Sequence, residues 1–204
     1  VREELKIIPA QAVIVQHVRY TYSCRNCEKT GTEVPVVKAP VKNAVIKGGF
    51  ASPESVAYIM TQKYLMDIPL YRQENDFKRR DILLSRQTMA NWIIKCSDMW
   101  LKPIYDELHN RLVSCEVAHA DETTVQVLKE PGRKPQSKSY MWLYRTGQYE
   151  KYKIALYNYR KGRNAEFLQE FLNGFSGYLH CDGYQAYKKL ENVILVQCLA
   201  HSRR

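Results

Sequence analysis

Hydrophobic and polar residues follow two different periods along the chain. In its middle third, apolar side chains recur every three or four positions, as on one face of a helix. This spacing predicts helices over residues 52–66 and 69–80. It also predicts a longer helix that is capped by Ser85, runs to about Leu112 and is kinked at Pro103.

From Ser114 onward, polar and apolar residues mostly alternate, and a period of two is typical of strands. Stretches with helical spacing interrupt this alternation. The predicted order is three strands, a helix, a strand, a helix and a strand, which is typical of an α/β fold with a mixed sheet. The predicted strands are 115–127, 139–145, 152–159, 177–181 and 193–197, and the predicted helices are 163–173 and 184–190.

The first forty residues differ, because they contain only short extended pieces. Residues 12–24 alternate and are rich in β-branched and aromatic residues, which predicts a strand pair or a single strand ending at Cys24. The sequence CRNC predicts a turn, and the prolines after it indicate a linker. The patterns therefore divide the chain into residues 1–40, 41–113 and 114–204.

The composition is that of a globular protein with a polyanionic partner. The 204 residues include 31 lysines and arginines against 21 acidic residues, a net charge of +10. An excess of this size favours nucleic acid as the partner. No apolar run approaches the roughly 20 residues that span a bilayer, so we expect no membrane partner. The absence of a signal peptide and the mostly dispersed cysteines indicate reduced thiols and a cytoplasmic protein.

Two aspartates in the second half of the chain are candidates for a metal site. Asp121 and its neighbour Glu122 face opposite sides of the sheet, because side chains alternate along a strand. Asp182 follows the predicted strand 177–181. If the first and fourth strands are neighbours, Asp121 and Asp182 converge, and such a pair suits Mg²⁺ ions that act on a phosphodiester. The alternative is that Asp121 pairs with an arginine and Asp182 caps a helix.

The helix at 69–80 and the start of the next helix have the dimensions of a helix-turn-helix. The second of these helices carries Arg86, Gln87, Asn91 and Lys95 away from its apolar stripe. Arginine reads guanine edges, and asparagine or glutamine reads adenine edges, so these residues are candidate DNA contacts. The alternative is a helical hairpin that packs on the rest of the protein and exposes a solvated polar face.

Several segments, in their order along the chain, resemble the bacterial transposases of the insertion sequence 66 family. They are IIPAQAVIVQHVRYTYSCRNC, KYLMDIPLYRQENDFKRRDILLSRQTMANWI, AHADETTVQV, YMWLYR, YRKGRNAEFLQEFLNGFSGYLHCDGYQAY and CLAHSRR. Together they cover nearly the whole chain. Several motifs at matching spacing are far more specific than any one of them alone.

This resemblance implies a ribonuclease-H-like catalytic core with an Asp-Asp-Glu triad and bound Mg²⁺ or Mn²⁺. Asp121, in DET, matches the first acid, and Asp182, in CDGY, matches the second. The third acid, a glutamate on a later helix, is expected beyond Arg204. Glu122 does not replace it, because strand alternation turns its side chain away from Asp121. Arg163 also matches a family position and is a candidate for holding a DNA phosphate, the alternative being an ion pair with one of the acids.

The opening segment resembles the zinc-binding segment of the same family, in which two cysteine pairs bind one Zn²⁺. Cys24 and Cys27 match the second pair, and the first pair is expected before Val1. Structural zinc needs four ligands. Two alternatives stay open: His17 supplies a third ligand, or Cys24 and Cys27 are unliganded thiols.

The resemblance implies a division of labour among three parts of the chain. Residues 1–40 hold part of the zinc segment and a linker, 41–113 a helical DNA-binding or linker region, and 114–204 an incomplete catalytic core. The intact transposase is expected to hydrolyse a phosphodiester at an element end and to join the 3′-OH to target DNA. Its expected partners are double-stranded DNA and copies of itself at the nucleoid. The chain alone is expected to be inactive, and the alternative function is that of a non-catalytic DNA-binding remnant.

Overall fold

The computed structural model describes residues 3–6, 11–31, 36–40 and 43–202. The chain divides into two compact units, Val1–Ser52 and Pro53–Arg204. Among the helices in the described ranges, none is long and apolar enough to cross a membrane.

The first unit has little regular structure in its described residues. Strand β1, Thr21–Tyr22, pairs antiparallel with strand β2, Val37–Lys38, and helix α1, Arg25–Thr30, lies between them in sequence. The strand predicted over 12–24 is therefore wrong except near its end, and the predicted CRNC turn is instead the start of α1. Residues 11–20 are all exposed and pair with no strand in the described part of the chain. Their alternating apolar side chains therefore pack against no hydrophobic core there.

In the second unit, the helices predicted for the middle of the chain are confirmed. The Ser85 hydroxyl caps one of them by accepting a 3.1 Å hydrogen bond from the Thr88 backbone N–H. The first three helices pack against one another and bury side chains such as Ile59, Phe77 and Met89. The helices are α2, Pro53–Tyr64; α3, Leu70–Arg79; α4, Arg86–Cys96; and α5, Lys102–Val113.

A π-helical turn, Ser97–Leu101, joins α4 to α5 without a loop, so the predicted long helix is one continuous helical run. The widened turn lies just before Pro103. The sequence spacing predicts that Trp100 belongs to the same apolar stripe as Met89 and is buried, but Trp100 is 55% exposed. The π turn holds more residues than an α-helical turn, and this turns Trp100 away from the stripe.

A five-stranded mixed sheet follows the helices. Its strand order is β5-β4-β3-β6-β7, in which β4 is antiparallel to β3 and β5, and β6 is parallel to β3 and β7. The first and fourth strands of the sheet in chain order, β3 and β6, are neighbours, which meets the condition for Asp121 and Asp182 to converge. The helix predicted at 184–190 is instead a turn and a 3₁₀-helix, Tyr187–Lys189. The other elements are β3, Val117–Gln126; β4, Lys138–Thr146; β5, Ala155–Arg160; α6, Ala165–Phe171; β6, Tyr178–Cys181; β7, Ile194–Gln197; and α7, Leu199–Ser202.

Helices α5 and α6 cover one face of this sheet. The Tyr105 hydroxyl of α5 donates a 3.1 Å hydrogen bond to the Tyr157 carbonyl, and the His109 ring Nε2 lies 2.7 Å from the Phe171 carbonyl oxygen. These contacts fix α5 both to β5 and to α6. The fully buried side chains of this core are Leu112, Ala118, Trp142, Tyr144, Leu168 and Leu179.

Candidate active site

Asp121 and Asp182 lie at equivalent positions of the two neighbouring strands. In the parallel pairing of β3 and β6, His119 is opposite His180, an offset of 61 residues. Asp121 and Asp182 have the same offset and stand two positions further on, Asp121 within β3 and Asp182 just after the end of β6. Both side chains line one cavity of about 270 Å³. The register of β3 and β6 therefore brings these two carboxylates to one face of the sheet.

Each aspartate makes few contacts in the described structure. The Asp121 Oδ1 accepts a 2.9 Å hydrogen bond from the Glu122 backbone N–H, and Asp121 is exposed. The Asp182 Oδ1 accepts a 2.9 Å hydrogen bond from the Tyr184 backbone N–H, and its Oδ2 lies 3.6 Å from Arg163 Nη2. Asp182 thus closes a turn and caps no α-helix. Carboxylate oxygens of this kind fit a hard cation such as Mg²⁺, although no three such ligands surround a common point in the described residues.

Two histidines that the sequence analysis did not select share this face. His119 and His180 contact each other with 3.2 Å between their Nδ1 atoms. Burial, followed by the neighbouring His180 and Arg145, lowers the pKa of His119, so its ring is neutral at neutral pH. A repeated His-x-Asp pattern, HAD within β3 and HCD at the end of β6, is the sequence signal that identifies the two histidines.

Glu122 lies on the opposite face from Asp121, as predicted, and is 1% exposed. Its Oε1 accepts hydrogen bonds from the Arg163 guanidinium, and its Oε2 accepts a 2.7 Å hydrogen bond from the Tyr187 hydroxyl. Burial raises the pKa of Glu122, and the bonds from Tyr187 and Arg163 offset only part of this rise. Arg163 is therefore the basic partner of this buried carboxylate.

Arg163 lies close to two carboxylates, those of Glu122 and Asp182. Its guanidinium pairs with Glu122, approaches Asp182, and stacks on the Tyr184 ring with Cζ 3.6 Å from the ring centroid. The predicted alternative for Arg163, an ion pair with a site acid, is thus present. Its predicted contact with a DNA phosphate stays a prediction.

The two cysteines of the candidate zinc site lie together at the start of α1. The backbone N–H groups of Cys27 and Asn26 and the Cys27 thiol stabilise the Cys24 thiolate and lower the pKa of Cys24. An adjacent pair of thiols fits two of the four zinc ligands. Among the described residues no third ligand joins the pair, and this includes His17.

We expect Cys24 to react first when the chain is treated with iodoacetamide at pH 7.5. Cys24 is exposed and its pKa is lowered, whereas burial raises the pKa of Cys115 to about 11. The thiolate is the form that reacts, so Cys24 should be alkylated faster than Cys115. Peptide mapping by mass spectrometry measures them. Added Zn²⁺ should protect Cys24 and Cys27 together, and labelling that Zn²⁺ leaves unchanged contradicts zinc binding by this pair.

The candidate DNA-contact residues are on the exposed side of α4. Arg86, Gln87, Asn91 and Lys95 are all exposed, whereas Met89 on the same helix is fully buried. The Gln87 Nε2 donates a 3.2 Å hydrogen bond to Asn91 Oδ1, one turn further on. These four side chains are therefore accessible to a partner, and their contact with DNA stays a prediction.

Comparison with known proteins agrees with the resemblance read from the sequence. The family described as "Transposase IS66 family" matches residues 48–204, and "zinc-finger binding domain of transposase IS66" matches residues 1–28. The chain is 33% identical over 215 residues to the uncharacterized protein y4jD of Sinorhizobium fredii (strain NBRC 101917 / NGR234), and 31% identical over 216 residues to y4qI of the same strain. Each alignment covers 99% of this chain but only 41% and 39% of the two relatives, so the chain spans about two fifths of their length. Because the transposase match extends over more than half of its residues, the chain belongs to the IS66 family of transposases.

Proposed function

We propose that this chain carries two metal-binding carboxylates of a DNA transposase, Asp121 and Asp182. The observation that supports this function is their shared position. Both lie two positions beyond His119 and His180, the last residues that the parallel strands β3 and β6 pair with each other, and both line one cavity. Ligands commonly bind at the carboxyl ends of such strands.

We propose a ribonuclease-H-like fold for residues 114–204. Three antiparallel strands followed by two parallel ones, in the order β5-β4-β3-β6-β7, support this assignment. The acids are then on the central strand and on its parallel neighbour. In the same proposal, residues 1–40 belong to the zinc segment and 41–113 to a DNA-binding region.

In this function Asp121 and Asp182 hold the cations and are not themselves the proton acceptors. We propose that their carboxylates lie about 4–7 Å apart, a separation that lets them share ions. Bound Mg²⁺ or Mn²⁺ supplies activation of the attacking oxygen and stabilisation of the leaving one. Glu122 takes no part as a ligand, because its side chain is buried beside Arg163 on the other face.

The substrate in this proposal is double-stranded DNA, first at the element end and then at the target. The net charge of +10 and the exposed polar face of α4 support a polyanionic partner. Two element ends must be cut and joined together, which favours a protein that acts as a homo-oligomer at the nucleoid.

The test is cleavage of DNA that carries an element end by the full-length protein, with Mg²⁺ or Mn²⁺ and without metal. We expect metal-dependent cleavage that leaves a 3′-OH and is lost in Asp182→Asn. Asp98→Asn is the matched control, because Asp98 is an exposed carboxylate on the π-helical turn, away from the cavity. Cleavage by Asp182→Asn at the wild-type rate contradicts the proposed site.

We expect Arg86→Ala/Lys95→Ala to weaken DNA binding and to make it less sensitive to salt. Each lost phosphate contact removes about 0.9 from the slope of log affinity against log salt, so the double variant should lose up to about 1.8. Fluorescence anisotropy at several salt concentrations measures this slope. Lys188→Ala, an exposed lysine next to the sheet, is the charge control, and an unchanged slope in the double variant contradicts DNA binding by α4.

A further inference from the structure

The guanidinium of Arg163 has partners on its edge and on its face. Its Nε and Nη2 bind Glu122 Oε1, and its face lies on the Tyr184 ring, 3.6 Å from Cζ to the centroid. The Tyr184 hydroxyl returns a 2.8 Å hydrogen bond to the Arg163 carbonyl. With its side chain only 34% exposed, Arg163 is held in place by these contacts.

Asp182 belongs to the same network. Its Oδ2 lies 3.6 Å from Arg163 Nη2, and its Oδ1 accepts a 2.9 Å hydrogen bond from the Tyr184 backbone N–H. A cation so close to a carboxylate competes with a metal ion for it, because both are attracted to the same negative charge. Glu122 opposes this competition, since its Oε1 is nearer to the Arg163 guanidinium than Asp182 Oδ2 is.

We propose that Glu122 neutralises Arg163 and thereby keeps Asp182 available to a divalent cation. This inference rests on the proposed function, because it assigns Asp182 to metal binding. Glu122 and Arg163 are then positioning residues that act through Asp182. The Tyr187 hydroxyl, 2.7 Å from Glu122 Oε2, supports Glu122 from its other oxygen.

The test is a set of Mn²⁺ titrations of the full-length protein, read from the electron paramagnetic resonance signal of free Mn²⁺. In Glu122→Gln the positive charge of Arg163 is no longer balanced by Glu122. The guanidinium then interacts more strongly with the Asp182 carboxylate. We expect Mn²⁺ to bind about 10- to 100-fold more weakly, the usual effect of losing a group that supports a metal ligand. Removing both charges, in Glu122→Gln/Arg163→Gln, should restore most of the lost affinity.

The double variant separates this role from a purely structural one. If the pair only stabilises the fold, the double variant binds Mn²⁺ no better than Glu122→Gln, and that result overturns the inference. If Arg163 instead holds a DNA phosphate, the double variant loses about 0.9 from the salt slope of DNA binding. We expect the slope to stay unchanged.

Two further variants keep the outcome decisive. Thermal unfolding shows which variants fold, and if Glu122→Gln does not, Glu122→Asp takes its place, because it keeps the charge but withdraws it from Arg163 by one methylene group. Wild-type Mn²⁺ affinity in the variant that folds overturns the inference. Asp182→Asn is the reference: if it binds Mn²⁺ as the wild type does, the proposed function fails, and if it does not, only the role of Glu122 is in question.

Discussion

In the full-length protein, replacing Asp121 with asparagine is expected to abolish DNA cleavage and to leave DNA binding intact. The amide has the shape of the carboxylate but not its charge, so the cation loses one of its two ligands in this chain. We expect the rate to fall on the order of 10³-fold or more, which corresponds to about 4 kcal/mol of transition-state stabilisation. A gel assay with element-end DNA and Mg²⁺ measures the rate, and a binding titration without metal measures the affinity.

DNA affinity should be equal or slightly tighter in this variant, because the Asp121 carboxylate repels phosphate when no metal is bound. Asp98→Asn provides the comparison for loss of one exposed negative charge elsewhere. The assignment of Asp121 is wrong if Asp121→Asn still cleaves at a rate near that of the wild type. It is also in doubt if affinity and cleavage fall together, since that pattern indicates misfolding.

Replacing Gly177 with alanine is expected to cause the largest loss of stability among single changes near the site. A Cβ atom at this position would lie 2.1 Å from the Glu116 carbonyl oxygen and 2.8 Å from its carbon. The Tyr178 backbone N–H donates a 2.8 Å hydrogen bond to the same oxygen, so the clash falls where β3 and β6 begin to pair. We expect a loss of about 3 kcal/mol in the free energy of unfolding, measured by denaturant titration.

Gly183→Ala is the matched control for this change. Gly183 also adjoins β6, but no atom lies within 4 Å of its added Cβ, so its stability should stay close to that of the wild type. If Gly177→Ala is as stable as Gly183→Ala, the backbone approach between β3 and β6 is looser than described. The cleavage rate of Gly177→Ala should also fall, because the pairing of β3 with β6 aligns Asp121 with Asp182.

The strands of the sheet were predictable because each has a local signal, the alternation of polar and apolar residues. The predicted strand 115–127 is confirmed as Val117–Gln126, and 139–145 as Lys138–Thr146, since alternation follows directly from which side chains are buried. Predicting that Asp121 and Glu122 face opposite sides needed only the same rule. The sequence did not predict that β3 and β6 are neighbours. The candidate site required it as a condition, and the structure meets this condition.

Contacts between distant segments were not predictable in this way. Glu122, Arg163 and Tyr187 come from a strand, a loop and a 3₁₀-helix, and no period in the sequence links them. The π-helical turn was missed because it depends on hydrogen bonding along the backbone, so the exposure of Trp100 was missed with it. The strand predicted over 12–24 failed for the opposite reason: its alternation was clear, but a strand needs a partner.

The uninterrupted helical run from Arg86 to Val113 would set a fixed distance between DNA bound by α4 and the two aspartates. Its far end is fixed to strand β5 through Tyr105 and to α6 through His109, so α4 is joined without a loop to the helix that packs on the sheet. A duplex held by α4 would be cut at a fixed number of base pairs from the bound sequence. One residue inserted into the π-helical turn would shift α4 by about 1.5 Å and rotate it by about 100°. The rotation would turn the polar face of α4 out of a DNA groove sooner than the small shift would move a DNA phosphate away from the cavity.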